Sequence, residues 1–266
     1  MYSQYRPRHR FARILLAACA VLTIGFLLFP VLAIIPMSFN DAPRFELIPS
    51  NPSFEQYRRL FASPDWMEAL WRSVRIALIV MAAATAIGSA AALAIVRLPS
   101  RWRPVVEASF MAPQIIPSVV IAASAYFLFI HFGMQGTISG IAIMHTVIAL
   151  PFVVVLLGGR LQTLSPDLTQ ASSNLGAGPF RTFWHITIPQ IRTAIVGAGL
   201  LAFHASFDEV VLALFLSGAR NKTLPVKLWD SILFEVTPIL PAISVLVLSI
   251  PMLGMLLLLL LRIRRM

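Results

Sequence analysis

A stretch of 52 residues, from Ala108 to Gly159, contains no Asp, Glu, Lys or Arg. A transmembrane helix needs about 20 predominantly apolar residues, so this stretch is long enough for two bilayer crossings. The helices of a soluble domain need a polar face toward water, which this stretch does not supply. Charged residues make up 12% of the chain, whereas soluble domains carry roughly a quarter. The sequence therefore predicts an all-α, multi-span membrane protein.

The apolar runs predict six transmembrane helices. Their expected bounds are 14–36, 76–96, 110–131, 138–158, 193–217 and 240–261. The first run continues well beyond the apolar core of a typical signal peptide, so we expect an uncleaved membrane anchor. The spans form one permease domain, 14–261, between two short tails, 1–13 and 262–266.

The distribution of Lys and Arg orients these spans. Six spans place both termini on one side, which collects 13 basic and two acidic residues, against eight basic and seven acidic residues on the other. Cytoplasmic loops carry an excess of Lys and Arg, so both termini and the loop 160–192 are predicted to be cytoplasmic. The net charge of +10 then reflects membrane topology, and we expect no nucleic-acid partner.

Small residues recur four apart in the second predicted span, at Ala84, Gly88 and Ala92. Such a seam allows two membrane helices to approach closely. We expect this face to serve helix packing.

No motif in the sequence indicates bond chemistry. The chain lacks G-x-x-x-x-G-K-[ST], H-E-x-x-H and G-x-S-x-G, which mark nucleotide, zinc and serine-hydrolase sites. His131 and His145 are isolated in apolar runs and are interpreted as packing or hydrogen-bonding residues. We therefore expect no catalytic residue, metal or cofactor, and a transporter of this sequence would take its energy from a partner or an ion gradient.

The loop 160–192 carries signals for two short helices. Ser165 can cap the first helix, Pro166 suits its first turn and Asp167 favours the positive end of its dipole. Gly176 can end it in a left-handed conformation. A second short helix is predicted at 180–186, ended by Pro189. From the residues alone, this apolar-faced loop either lies on lipid headgroups or docks against a cytoplasmic protein.

The amino-acid sequence of this loop resembles the signature loop of binding-protein-dependent ABC importer permeases. The family pattern is Glu-Ala-Ala, three residues, Gly, nine residues, then Ile-x-Leu-Pro. Ala171, Gly176, Ile186 and Pro189 match it in spacing. The sequence departs from the pattern with Gln170 for Glu, Ser172 for Ala and Ile188 for Leu. In the family this loop sits in a groove of the ATPase subunit, so the resemblance implies that role for Gln170, Ala171, Ser172, Leu175, Gly176, Ile186 and Pro189.

The resemblance extends over residues 12–262. The segments 206–211, 215–218 and 224–229 are similar to the C-type permease of spermidine/putrescine importers. This similarity implies the type I permease fold in a bacterial inner membrane and one half of a path for a small cationic solute. The implied partners are cytoplasmic ABC ATPases, a second permease chain and a periplasmic binding protein.

Asp208 and Glu209 form an acidic pair that the sequence places inside the fifth span. Two central charges cost about 5–7 kcal/mol on the insertion scale, and the twelve large aliphatic and Phe residues of 195–216 return roughly 4–7 kcal/mol. The pair must therefore be shielded by other helices or line a wet cavity. In the second case it would favour a cation, and His204, one turn earlier, would bond Asp208 or add to the wall of the path.

A gradient-driven secondary transporter or channel working alone is the alternative from another class. It predicts internal repeats, which the sequence does not display, and it leaves the pattern of 165–189 without an explanation.

Overall fold

The structure, a computed structural model, describes residues 8–41 and 46–263. Within these ranges the chain is almost entirely helical, with one isolated β-bridge between Asn40 and Pro52. The helices are α1 (Arg8–Met37), α2 (Glu55–Ala62), α3 (Pro64–Arg97), α4 (Arg103–Ile115), α5 (Ser118–His131), α6 (Ile138–Gln162), α7 (Pro166–Asn174), α8 (Pro179–Thr182), a π-helical turn (Phe183–Thr187), α9 (Ile188–Phe207), α10 (Val211–Leu216), α11 (Leu224–Phe234) and α12 (Leu240–Ile263).

Several of these helices are long and apolar enough to cross a membrane. In the described part of the chain they are Ala12–Met37, Pro64–Arg97, Ile138–Gln162 and Pro179–Phe207. The pair α4 and α5 makes a fifth span if its two members are counted together, and Leu240–Leu256 within α12 is a shorter apolar helix. The prediction of an all-α membrane protein is confirmed.

The chain divides into two compact units. The first consists of the described parts of Met1–Ala62 and Val236–Leu246, and the second of Ser63–Glu235 with the described part of Val247–Met266. In the first unit, Phe39 packs edge-on against Phe54, with ring centroids 5.2 Å apart. Ser38 and Tyr57 share a hydrogen bond between their hydroxyl oxygens, 2.7 Å apart. The predicted tail residues 1–7 and 264–266 lie outside the described ranges, whereas residues 8–13 belong to α1.

The core of the second unit lies where α3, α6 and α9 pack together. Ala84 and Ala92 of α3 are fully buried, and a Cβ atom added to Gly88 would lie 2.6 Å from Cγ1 of Val153 in α6. The small-residue seam predicted from the sequence is therefore a packing surface, and its backbone approaches α6 too closely for a larger residue.

The third predicted span is not one continuous helix. A continuous helix at 110–131 was expected, but α4 ends at Ile115 and α5 begins at Ser118, with a bend of 91° between them. Ile116 has extended backbone angles, φ −76° and ψ 131°. A residue before proline is disfavoured in the helical region, and Pro117 supplies no N–H to continue the ladder, so the helix breaks here.

The boundaries around the fifth span also differ from prediction. Pro189 does not end a short helix, because Pro179–Phe207 forms one unbroken apolar helix. The turn before Pro189 is π-helical, with the Ile188 N–H donating to the Phe183 carbonyl, and this wider turn accommodates the proline ring. At its other end α9 stops at Phe207, so Asp208 and Glu209 lie in a break before α10 rather than inside a continuous helix.

We predict that Gly88→Ala destabilises the second unit by about 1–3 kcal/mol, the usual cost of overpacking a tight core. Gly197→Ala in α9 is the control, because nothing lies within 4 Å of its added Cβ atom. The measurement is thermal unfolding of the purified protein in detergent. Equal melting temperatures for the two variants would contradict the close approach of α3 and α6.

Candidate coupling segment and solute pathway

The coupling segment, residues 165–189, begins with α7 as the sequence predicted. Oγ of Ser165 accepts a hydrogen bond from the Asp167 N–H at 3.2 Å, which caps the helix. Gly176 follows α7 with φ +78°, a left-handed conformation that costs other residues energy. Both predictions for this helix are confirmed.

A side-chain contact ties α7 to α8. The hydroxyl oxygens of Ser172 and Thr182 lie 2.9 Å apart, and Thr182 is buried. Ser172 is one of the departures from the family pattern, and its hydroxyl supplies a hydrogen bond that an alanine could not make. The contact fixes the angle between the two short helices.

The other predicted coupling residues are mostly accessible. Gln170, Ala171, Gly176 and Pro189 are exposed, and Ile186 is half-buried. Large apolar side chains stand among them, with exposures of 88% for Leu175, 76% for Phe180 and 51% for Trp184. The rings of Phe180 and Trp184 also contact each other, with centroids 6.2 Å apart. An apolar surface of this kind, rimmed by polar residues, is typical of a docking site or a membrane contact.

The acidic break, residues 208–210, lies at the opposite end of α9. Asp208 is exposed, and its N–H donates to the His204 carbonyl at 3.1 Å. Glu209 is half-buried, and its Oε1 accepts the Leu212 N–H at 3.0 Å, which caps the start of α10. His204 is exposed. The two acids therefore differ: the Glu209 carboxylate accepts a hydrogen bond from α10, whereas the Asp208 side chain is exposed.

A cavity of about 420 Å³ borders this break and is lined by Glu209, by residues of the α4–α5 bend, by Ile148 and Phe152 of α6 and by Ala205 of α9. A second cavity, of about 390 Å³, shares the lining residues Gln114 and Phe152 with the first but is not lined by residues of the break. Among the described residues that line the first of these cavities, Glu209 is the only charged one. A carboxylate in a largely apolar cavity favours a cation.

Gln114 is a site residue that the sequence analysis missed. It lies in α4 beside the bend, is exposed, and lines both cavities. Its amide can accept or donate a hydrogen bond to a polar solute. The sequence signal for this residue was a polar side chain between Pro113 and Pro117, within a stretch that is uncharged and mostly apolar.

A charged cavity of about 440 Å³ lies between the start of α3 and α11. Lys227 stands 4.7 Å above the Trp66 ring and pairs with Asp65 at 3.6 Å. Burial lowers the pKa of Lys227, and the carboxylate of Asp65 partly offsets that effect. Arg72 holds the neighbouring loop by donating to the Lys222 carbonyl at 2.8 Å. This end of the unit thus presents fixed charges of both signs.

Among the described residues no group of three or more His, Cys, Asp and Glu side chains is arranged to hold a metal ion. The exposed apolar surface and the acidic break lie at opposite ends of one unbroken helix, Pro179–Phe207.

We predict that Glu209→Ala lowers the free energy of unfolding by about 1 kcal/mol, the usual cost of losing a helix cap. Glu209→Gln keeps an amide oxygen that can accept the Leu212 N–H, so it should retain most of the stability. Asp208→Ala is a second control, since among the described residues the hydrogen bond to the start of α10 comes from Glu209 and not from Asp208. Thermal unfolding of the three purified variants measures the difference, and equal loss in Glu209→Ala and Asp208→Ala would refute the capping role.

Comparisons with known proteins agree with this geometry. The putrescine transport system permease protein PotI of Escherichia coli (strain K12) is 31% identical over 240 residues, which cover 86% of this chain and 84% of PotI. The spermidine/putrescine transport system permease protein PotC of the same organism is 30% identical over 230 residues, covering 86% and 87% of the two chains.

Solved structures show the same fold. A chain of a bacterial ABC transporter involved in the import of the acidic polysaccharide alginate matches 98% of this chain and 99% of its own length, with a TM-score of 0.70 at 15% identity. The family model of the binding-protein-dependent transport system inner membrane component matches residues 84–265. The chain thus belongs to this family, the inner-membrane permease components of binding-protein-dependent ABC importers, and it is a transport subunit rather than an enzyme.

Proposed function

We propose that the chain forms half of the translocation path of an importer for a small organic cation, with putrescine and spermidine as the first candidates. The observation that carries the proposal is the helix Pro179–Phe207, which joins the coupling segment directly to the acidic break. The names of PotI and PotC, which are permeases for putrescine and spermidine/putrescine, support this solute class.

The proposed topology has six spans with both termini in the cytoplasm. The bent pair α4 and α5 forms the third span, α9 with α10 forms the fifth and α12 forms the sixth. The bias of 13 against eight Lys and Arg residues supports this orientation. The tails 1–13 and 262–266 and the loop 160–192 then face the cytoplasm.

In the proposed mechanism, ATPase subunits drive the transport cycle through the coupling segment. They would contact Gln170, Ala171, Ser172, Leu175, Gly176, Ile186 and Pro189. The exposed apolar side chains of this segment support docking to a protein, and the hydrogen bond between Ser172 and Thr182 makes α7 and α8 move together. Because α8 continues into α9, a displacement at the ATPase would reach the acidic break along one rigid helix.

The proposed solute path runs beside the acidic break. Asp208 faces the solute, Glu209 lines the cavity while it caps α10, and His204 adds to the wall one turn earlier. Gln114 contributes an uncharged amide to the lining of the same cavity. Carboxylates in such a path attract ammonium groups, whereas the amide allows them to leave again.

Two further partners complete the proposal. A second permease chain would supply the other half of the path, since alternating access requires two bundles that rock about a shared site. A periplasmic binding protein would deliver the solute at the face that carries the charged cavity of α3 and α11. The fixed charges there suit electrostatic recognition of a partner.

We predict that Gly176→Val uncouples ATP hydrolysis from uptake while the chain still inserts. A left-handed conformation costs an L-residue about 1–2 kcal/mol, and more for a β-branched one, so the end of α7 would rearrange. Gly178→Val is the matched control: Gly178 has φ −67°, and neither glycine has an atom within 4 Å of an added Cβ. The ratio of putrescine imported to ATP hydrolysed is measured in proteoliposomes. A normal ratio in Gly176→Val would count against the coupling role.

We predict that Asp208→Asn lowers putrescine uptake at least about tenfold, the factor that corresponds to roughly 1.4 kcal/mol of lost cation stabilisation, with normal assembly of the importer. Asp41→Asn is the control, since Asp41 is exposed and lies outside both the coupling segment and the acidic break. Radiolabelled putrescine uptake is measured with the chain's own ATPase, second permease and binding protein present. Absence of uptake by the wild-type importer would reject the solute class, and collapse of assembly in Asp208→Asn would assign Asp208 a structural role instead.

A further inference from the structure

A fully buried polar contact joins α6 to α9 beside the acidic break. His145 of α6 and Ser206 of α9 are 0% and 4% exposed. Nδ1 of His145 lies 2.9 Å from Oγ of Ser206. The sequence-based interpretation of His145 as a packing or hydrogen-bonding residue is confirmed, and the contact links two helices that are far apart along the chain.

The contact between His145 and Ser206 lies next to residues that line the cavity. Ile148 and Phe152, one and two turns after His145 on the same helix, line the cavity, as does Ala205, the residue before Ser206. His145 and Ser206 are not among the lining residues. A solute in the cavity would therefore meet their neighbours and not the pair itself.

Packing alone does not account for a histidine at this position. Nε2 of His145 is buried and has no hydrogen-bond partner among the described residues. An unpaired buried nitrogen is unfavourable, and an aliphatic side chain of similar volume would avoid it. The hydrogen bond to Ser206 is thus the feature of this residue that an apolar core residue would lack.

We propose that His145 is a positioning residue for the solute path. Through Ser206 it holds the last turn of α9 against α6, and this fixes where Asp208 and Glu209 stand relative to the α4–α5 bend. The inference rests on the proposed function, because it assigns the pair to the path at the acidic break.

The test measures putrescine transport per assembled importer in proteoliposomes that contain the complete complex and its binding protein. Ser206→Ala and His145→Ala should each lower this rate about five- to tenfold, the effect of losing one neutral hydrogen bond of ordinary strength. The double variant should be no worse than either single variant, since both remove the same bond. Should His145→Ala fail to assemble, Ser206→Ala decides the question alone.

Two isosteric substitutions separate positioning from bulk. The amide oxygen and nitrogen of Asn are bonded to Cγ, as Nδ1 of histidine is, and can therefore reach Ser206 from the same place. His145→Asn should restore most of the rate. The amide of Gln lies farther out, near the place of Nε2, so His145→Gln should remain slow. Equal rates in these two variants, or an unchanged rate per assembled complex in Ser206→Ala, would overturn the inference and leave the pair a purely structural role.

The same assay distinguishes this inference from the proposed function. A wild-type complex that moves no putrescine rejects the proposed solute class, and an Asp208→Asn complex that moves it normally rejects the proposed path; either result rejects the inference as well. A slow Asp208→Asn complex beside a normal Ser206→Ala complex rejects the inference alone.

Discussion

The hydrocarbon core of a membrane leaves no water for the polar groups of the backbone, so a chain can depart from a helix only where protein or a cavity covers the departure. Among the described residues, the helical backbone is interrupted at the α4–α5 bend and between α9 and α10. Residues of both breaks line the same cavity of about 420 Å³. The two interruptions, Glu209 and Gln114 therefore lie beside one cavity. The helices α3, α6 and α9 pack closely together next to it.

The helix α9 connects the acidic break to the coupling segment. At one end the helix continues from α8, which Ser172 and Thr182 tie to α7. At the other end it stops one residue after Ser206, whose hydroxyl oxygen lies 2.9 Å from Nδ1 of His145 in α6. In the proposed mechanism, this helix carries a displacement from the coupling segment to the acidic break. This is consistent with a permease subunit that carries no nucleotide motif of its own.

Local signals in the sequence predicted the features that depend on single residues. Ser165 and Gly176 delimit α7 as expected, because a cap and a left-handed end are properties of the residues themselves. The seam at Gly88 also followed from its spacing. The bend at Pro117 and the continuity through Pro189 could not be separated in advance, since a proline breaks one helix and is accommodated in the other. The difference lies in the π-helical turn before Pro189, which the spacing of apolar residues does not predict.

The π-helical turn has a consequence for the relation between the two ends of this long helix. Such a turn holds one more residue than an α-helical turn would at the same place. Each residue of an α-helix rotates the following side chains by about 100°. The π-helical turn therefore absorbs one residue that would otherwise rotate the face that carries His204 by about 100° relative to the exposed aromatic face near Trp184. Winding these same residues into regular α-helical turns would leave both faces intact but point them in different directions.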